Sequence, residues 1–276
     1  MVSKTLNEPG RPLAVITGAS SGIGLECARQ LHRQGYSLFL IARRSDRLEQ
    51  FCQECDLQRS GSASYATVDL TKIETPDFEH LCATLRAMTI DLFISNAGVG
   101  SFGRFEELPL HHERQMIELN VVASTVLLHT VVPGMKQERR GSIVIVSSVA
   151  GAQPLPYMST YSATKAFNLA QGLALRQELR PFGIQVCTWC PGPVETEFAG
   201  ISRMPGTVAG GKRDSVEAVV SEGLSRLRRG QALAIPCLRA KMLWYAARCV
   251  PRTLSTFLVG RMFSKVWDKA SRQVKT

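Results

Sequence analysis

The chain has 276 residues, 45% of them apolar and 20% charged, with 33 Lys+Arg against 23 Asp+Glu for a formal net charge of +10. This composition excludes a disordered, collagen-like or coiled-coil chain, and a chain this long buries enough surface to need no metal or disulfide staple. No apolar run reaches the ~18 residues of a spanning helix, and polar Met1 to Arg11 lacks the apolar stretch of a secretory signal, so the expected compartment is the cytoplasm.

In chain order, residues 1–10 read as a flexible tail. Leu13 to Thr17 is a short apolar strand closed by a glycine turn, and 23–34 is a helix, with Ile23, Cys27, Ala28 and Leu31 at helical spacing before Gly35. Further strands are expected at 37–42, 63–68, 91–95, 142–147 and 184–190, and helices at 46–55, 76–87, 112–132 and 160–180. Short apolar strands alternating with helices predict an α/β fold, a doubly wound parallel sheet covered on both faces (a Rossmann fold). Residues 193–215, rich in Gly, Pro, Thr and Ser, read as a mobile loop. The simplest organisation is one domain over 11–237 with a helical extension over 238–276.

The cysteines could suggest zinc, through the pairs Cys52/Cys55 and Cys187/Cys190. The second pair falls on a strand, where residues three apart point to opposite faces and cannot share a metal. Reduced cysteines acting as small apolar residues, in a reducing compartment, fit better, and no metal site is expected.

Thr17-Gly-Ala-Ser-Ser-Gly-Ile-Gly24 follows the first strand and opens a helix. Gly18 permits the turn, Gly22 lets the backbone approach a ligand and Gly24 lets helix and sheet pack closely, while the helix N-terminus offers free N–H groups to a diphosphate. The second strand ends in Ala42-Arg43-Arg44, where a site for an unphosphorylated ribose usually carries an acid. Two guanidinium groups there suit a 2′-phosphate, so the expected cofactor is NADP(H). Tyr161 and Lys165 stand one helical turn apart, and a buried ammonium beside a phenol is expected to lower its pKa and poise it for proton transfer. Ser147 and Ser148 end the fifth strand, at the carboxyl edge where such sheets bind ligands.

Taken in order, the glycine turn, Asp69, Ser95-Asn-Ala-Gly98, Asn120, Ser148, Tyr161-x-x-x-Lys165 and Pro191-Gly192 resemble the short-chain dehydrogenases/reductases over roughly residues 11–240. Ser95 stands where the family usually has a second asparagine. The resemblance implies Tyr161 as general acid/base, Lys165 as its tuner and ribose ligand, and Asn120 as the anchor of a relay water. It implies Ser148 as the carbonyl-orienting serine, because the family's serine lies 13 positions before the tyrosine. It further implies cofactor contacts from Gly18, Ser20, Ser21, Gly22, Ile23, Gly24, Arg43, Arg44, Asp69, Leu70, Asn96, Ala97, Gly98, Pro191, Gly192, Val194 and Thr196. The implied activity is NADPH-dependent reduction of a ketone or aldehyde, with some likeness to 3-oxoacyl reductases and a lipophilic substrate. A homodimer or homotetramer is implied as well. Asn120 could instead fix a helix kink, Asp69 cap a helix and Thr196 merely turn the chain.

The positive charge is concentrated at the end: from Arg226 onward 12 Lys+Arg face one acid, Asp268. Aromatic and basic residues at helical spacing over 238–267 suit either peripheral contact with an anionic membrane or packing on the domain or a partner subunit. No nucleic-acid module is visible. Two rival readings remain: a nonenzymatic NADP(H)-binding sensor or scaffold, and a membrane-recruited interaction protein acting through the tail.

Overall fold

A computed structural model describes residues 2–3, 10–202 and 213–273. Parts of the expected N-terminal tail, mobile loop and basic extension (1, 4–9, 203–212 and 274–276) lie outside them. The strands are β1 (Val2–Ser3), β2 (Leu13–Thr17), β3 (Ser37–Ala42), β4 (Ala63–Thr67), β5 (Leu92–Ser95), β6 (Gly141–Val146), β7 (Ile184–Trp189) and β8 (Leu233–Ala234). They form one sheet in the order β1-β4-β3-β2-β5-β6-β7-β8. All neighbours are parallel except β1, which runs antiparallel to β4 inside the stretch read as a tail.

Period-two alternation sorts the strand residues between two cores. Ile16, Leu38, Leu40, Val144 and Cys187 face one side; Val15, Phe39, Ile41, Ile143, Ile145 and Val186 face the other. Helices α1 (Gly22–Arg33), α2 (Ser45–Gln58) and α8 (Val216–Arg228) cover the first side with Cys27, Leu31, Phe51 and Leu224. Helices α3 (Pro76–Arg86), α5 (Ser124–Glu138) and α6 (Ser159–Leu179) cover the second with Phe78, Leu81, Leu127 and Leu179. A sheet buried on both faces needs such continuous apolar strands. The strand order reverses at β2 and β5, and the crevice outside their carboxyl ends is where such sheets bind ligands.

The helix expected at 112–132 is longer and is not one regular helix. It runs as α4 (Leu110–Ile117), a π-helical stretch at Glu118–Ala123 and then α5. The extra residue per turn in the π stretch falls at Asn120 and re-aims it, a common device at functional sites. This Leu110–Glu138 helix is long and apolar enough to cross a membrane, its most apolar 18 residues having a mean hydropathy of 1.5. Its Met116, Leu127, Leu128, Val131 and Met135 are instead buried against the domain.

Within 193–215, α7 (Phe198–Ile201) forms a single turn, and a Val194–Asp214 bridge ties the base of the loop. The extension forms α9 (Leu238–Cys249) and α10 (Arg252–Gln273), broken at Pro251. Of the readings of the tail, packing on its own domain is what the structure displays for part of this face. Trp244 and Ala240 pack with Cys190 and Ile235, and Phe263 and Trp267 close on Phe102, with ring centroids 5.7 and 6.0 Å away. Met242, Leu254, Phe257, Leu258 and Met262 remain exposed. All eight cysteines are free thiols, and Cys187 and Cys190 fall in different apolar clusters.

Candidate active site

The carboxyl ends of β2 and β5 are locked together by Thr17. Its buried hydroxyl accepts the backbone N–H of Asn96 (2.9 Å) and of Ala97 (3.0 Å). The Asn96 amide in turn donates to the Thr17 carbonyl at 2.9 Å. This brings Asn96 against the glycine turn so closely that a Cβ on Gly24 would come within 2.6 Å of Asn96 Nδ2 and would also run into the Gly18 carbonyl. Gly22 has φ +54°, and its added Cβ would meet the Thr196 side chain at 3.0 Å. The helix that follows has no side-chain cap at Ser21 and no acid in its first turn, so its first N–H groups lack a side-chain acceptor. Such an N-terminus attracts an anion.

At the end of β3, Arg44 is held rigidly: Nε donates to Ser20 Oγ (3.1 Å) and Nη2 to Ser21 Oγ (2.6 Å). Arg43 is exposed beside it on the same cleft. After β4, Asp69 accepts the Thr71 N–H (3.1 Å) and hydroxyl (2.9 Å), which fixes the turn by which Asp69 and Leu70 reach the cleft.

Tyr161 and Lys165 enter from the start of α6, both buried. Lys165 Nζ lies 5.9 Å from the Tyr161 ring centroid and donates to the Val146 carbonyl at 2.9 Å. The sequence expectation was a phenol made more acidic by this ammonium; the structure differs. Burial dominates and pushes the Tyr161 phenol up to about 12, against the opposite pull of a Ser148 hydrogen bond. Burial likewise pushes the Lys165 ammonium down to about 8. The physical reason is that each charged form loses its water in the same apolar setting. Of the two serines, Ser147 is turned away, donating to the Lys165 carbonyl at 2.6 Å. Ser148 accepts the Ala150 N–H at 3.1 Å and bonds Tyr161.

Asn120 is fully buried, and its side chain bonds protein groups in two other segments. Its Oδ1 accepts the Val99 N–H (3.0 Å), and its Nδ2 donates to the Val99 carbonyl (2.9 Å) and Thr164 Oγ1 (3.0 Å). It thus ties the π stretch to the segment after β5 and to α6. A Cβ on Gly98 would come within 3.1 Å of Asn120 Oδ1 and 3.3 Å of Lys165 Nζ, so Gly98 leaves room at the heart of the site.

One cleft of about 760 Å³ collects all of the sequence-selected residues except Gly24 and Asn120, which stand behind it. Pro191, Gly192, Val194 and Thr196 reach it from the segment after β7. Sequence reasoning missed its apolar end, where Leu155, Met158, Phe198, Val259, Met262 and Phe263 converge. It also missed Thr17, Thr164 and the ion pairs of Arg44 and Arg47 with Glu197. These come together only through the fold, and of the apolar end only the helical spacing of Met262 and Phe263 was visible in the sequence. A cleft of this size, mostly apolar with a few converging polar groups, suits a cofactor and a small substrate together.

The cradled glycine turn, the uncapped helix start and the buried Tyr/Lys pair define a dinucleotide-dependent oxidoreductase. The chain belongs to the short-chain dehydrogenase family, whose model matches residues 12–204. It is 34% identical to a very-long-chain 3-oxoacyl-CoA reductase of Laccaria bicolor over 63% of this chain. It spans 52% of that protein's length. A short-chain dehydrogenase from Sphingobium yanoikuyae, solved in complex with NADPH, shares 32% identity with a TM-score of 0.79, covering 89% of this chain and 95% of that one. A bulky-bulky ketone specific alcohol dehydrogenase from Comamonas testosteroni shares 30% identity with a TM-score of 0.75, covering 89% and 94%. The family binds a nicotinamide cofactor, and the glycine turn fits one: Gly18 and Gly22 line the cleft without a side chain, beside the uncapped start of α1.

The chemistry of Lys165 sets a pH dependence. An ammonium titrating at about 8 is charged below that pH and neutral above it. Turnover by the oxidoreductase is therefore expected to hold level from pH 6 to 7.5 and to fall as pH rises through about 8. A profile flat to pH 10 contradicts this role for Lys165.

Proposed function

We propose that the protein is an NADPH-dependent reductase of a lipophilic ketone or aldehyde, with Tyr161 as the proton donor. The observation that carries this reading is the buried Tyr161 phenol, bonded by Ser148, between the glycine cradle and the apolar end of one cleft. When bound, NADPH supplies the hydride to the carbonyl carbon. Tyr161 passes its proton to the developing alkoxide, and a phenol pushed up to about 12 keeps that proton at neutral pH. Ser148 holds the same oxygen, lowering the energy of the charge that builds on it. Lys165 adds positive charge beside the phenol, and Asn120 fixes Lys165's surroundings through Val99 and Thr164.

The cofactor's diphosphate would be held by Gly18, Gly22, Ile23 and the α1 N-terminus, and its 2′-phosphate by Arg43 and Arg44 with Ser20 and Ser21. Asp69 and Leu70 would meet the adenine, Asn96, Ala97 and Gly98 the ribose, and Pro191, Gly192, Val194 and Thr196 the nicotinamide end. The names of the Laccaria and Comamonas relatives agree with a bulky or acyl-chain substrate at Leu155, Met158 and Phe263. With 2-alkanones of increasing length, KM is expected to fall about fourfold per added methylene, ~0.8 kcal/mol for each one removed from water. A KM independent of length would exclude a lipophilic pocket.

Two partner readings accompany this. Exposed Phe167 and Leu173 on α6 and Ile117 on α4 support a homodimer or homotetramer, which sedimentation velocity would reveal as a species at least twice the chain's mass; a monomer alone would exclude it. Met242 and Met262 line the cleft yet are exposed, beside Leu258 and the basic Arg252, Arg261 and Lys265, which supports delivery of the substrate from an anionic lipid surface. Co-sedimentation with phosphatidylserine vesicles that is no greater than with neutral ones would exclude it. Buried free thiols suit a reducing compartment, and the cytoplasm is the proposed location.

A further inference from the structure

Two arginines at the start of α2 grip a carboxylate that comes from the far side of the cleft. Arg44 Nη1 donates to Glu197 Oε2 at 2.7 Å, and Arg47 Nη1 donates to Glu197 Oε1 at 2.6 Å. Arg44 is not free to follow that partner elsewhere, because Ser20 and Ser21 pin its other nitrogens. Arg44 lines the main cleft, whereas Arg47 and Glu197 line the shallower groove next to it. The carboxylate therefore stands at the border of the cleft, on the guanidinium assigned above to the 2′-phosphate. Planar guanidinium groups take carboxylate and phosphate oxygens in the same manner.

Glu197 lies directly after Thr196, whose side chain borders Gly22, and directly before Phe198, whose ring centroid is 5.4 Å from that of Tyr161. The base of this segment is fixed by the Asp214 N–H donating to the Pro193 carbonyl (2.9 Å) and the Glu195 N–H donating to the Asp214 carbonyl (3.0 Å). The clasp thus connects the anion site to the segment carrying Thr196 and Phe198.

We infer that Glu197 is a built-in competitor for the 2′-phosphate: its carboxylate holds Arg44 and Arg47 until a phosphate displaces it, and the displacement releases the Thr196–Phe198 segment. This rests on the NADP(H) reading of Arg44. The two arginines hold the Glu197 carboxyl below the usual carboxylate range, so it competes as an anion at neutral pH. Its side chain is 45% exposed, and exposed ion pairs contribute little net free energy, so a doubly charged phosphate on two arginines can replace it. A cofactor without that phosphate has nothing to offer the arginines and leaves the clasp closed. The residue thereby weakens NADPH binding while coupling release of the segment to arrival of the 2′-phosphate.

Titration of the full-length protein with NADPH and NADH by cofactor fluorescence tests this, using Glu197→Gln, Glu197→Ala and Arg44→Ala. Removing the carboxylate's charge is expected to tighten NADPH about fivefold, the worth of one or two exposed ion pairs, and to move NADH less than about twofold. Arg44→Ala is expected to weaken NADPH selectively. If both Glu197 variants bind NADPH more weakly, or shift both cofactors equally, Glu197 is a strap and not a competitor, and the inference falls while the arginine reading stands. If Arg44→Ala leaves NADPH and NADH unchanged, the arginine reading itself falls, and the inference with it.

Discussion

Tyr161→Phe is expected to lower kcat for carbonyl reduction by roughly 10³-fold, within the range that a positioned general acid contributes, while leaving the cofactor Kd within about threefold. The substitution removes one oxygen and keeps the ring that packs with Phe102, Met116 and Met158. It leaves Ser148 its other partners, the Ala150 N–H and the Pro191 carbonyl, so the site keeps its shape. Loss of turnover with intact cofactor binding would therefore report the proton and not the fold. Steady-state rates together with a cofactor titration separate the two. A variant that keeps more than a tenth of the wild-type kcat would remove Tyr161 from the chemistry.

Arg44→Ala is expected to shift the ratio of kcat/KM for NADPH over NADH by about 100-fold toward NADH. A hydrogen bond to a charged group is worth ~1.5–3 kcal/mol, and each 1.4 kcal/mol is about tenfold in affinity. Arg44 offers its rigid fork at the cleft with 36% of its side chain exposed, so its loss leaves no buried charge behind and should not unfold the protein. Arg43, exposed beside it, is expected to matter less, because no hydroxyl of the glycine turn holds it in place. Initial rates with both cofactors at one carbonyl concentration measure the ratio, and an unchanged ratio would contradict the assignment of Arg44.

Much of this site was legible before the structure because its parts are local. The glycine turn, the Tyr161/Lys165 pair and the strand-end Arg43-Arg44 are each short motifs whose geometry follows from one turn or one helix. The seven parallel strands were legible as far as their apolar runs were long enough to register. Leu233–Ala234 and Val2–Ser3 are two residues each and carry no period at all. Helix α8 buries Val219, Val220, Leu224 and Leu227 at helical spacing, a signal the sequence itself carries. What sequence reasoning could not supply is contact across long separations. Glu197 meets Arg44 from 153 positions away, and the apolar end of the cleft joins α10 to residues near α6. The acidity expected for Tyr161 failed for a related reason. Spacing places a charge near a phenol, but the balance between that charge and lost hydration depends on how deeply both are buried. The π stretch at Asn120 arises the same way, since the side-chain bonds that hold it reach Val99 and Thr164 in other elements.

The proposed reaction moves a hydride from the cofactor to a carbonyl carbon while Tyr161 supplies the proton. The most direct measurement is turnover of a long-chain 2-alkanone with NADPH carrying deuterium at the transferable C4 position, with the product examined by mass spectrometry. The account predicts one deuterium on the carbinol carbon of the wild-type product and no product from Tyr161→Phe over the same time. Tight NADPH binding with neither deuterated alcohol nor loss of NADPH across the ketone series would contradict it, and would point to a protein that senses the cofactor without turning it over.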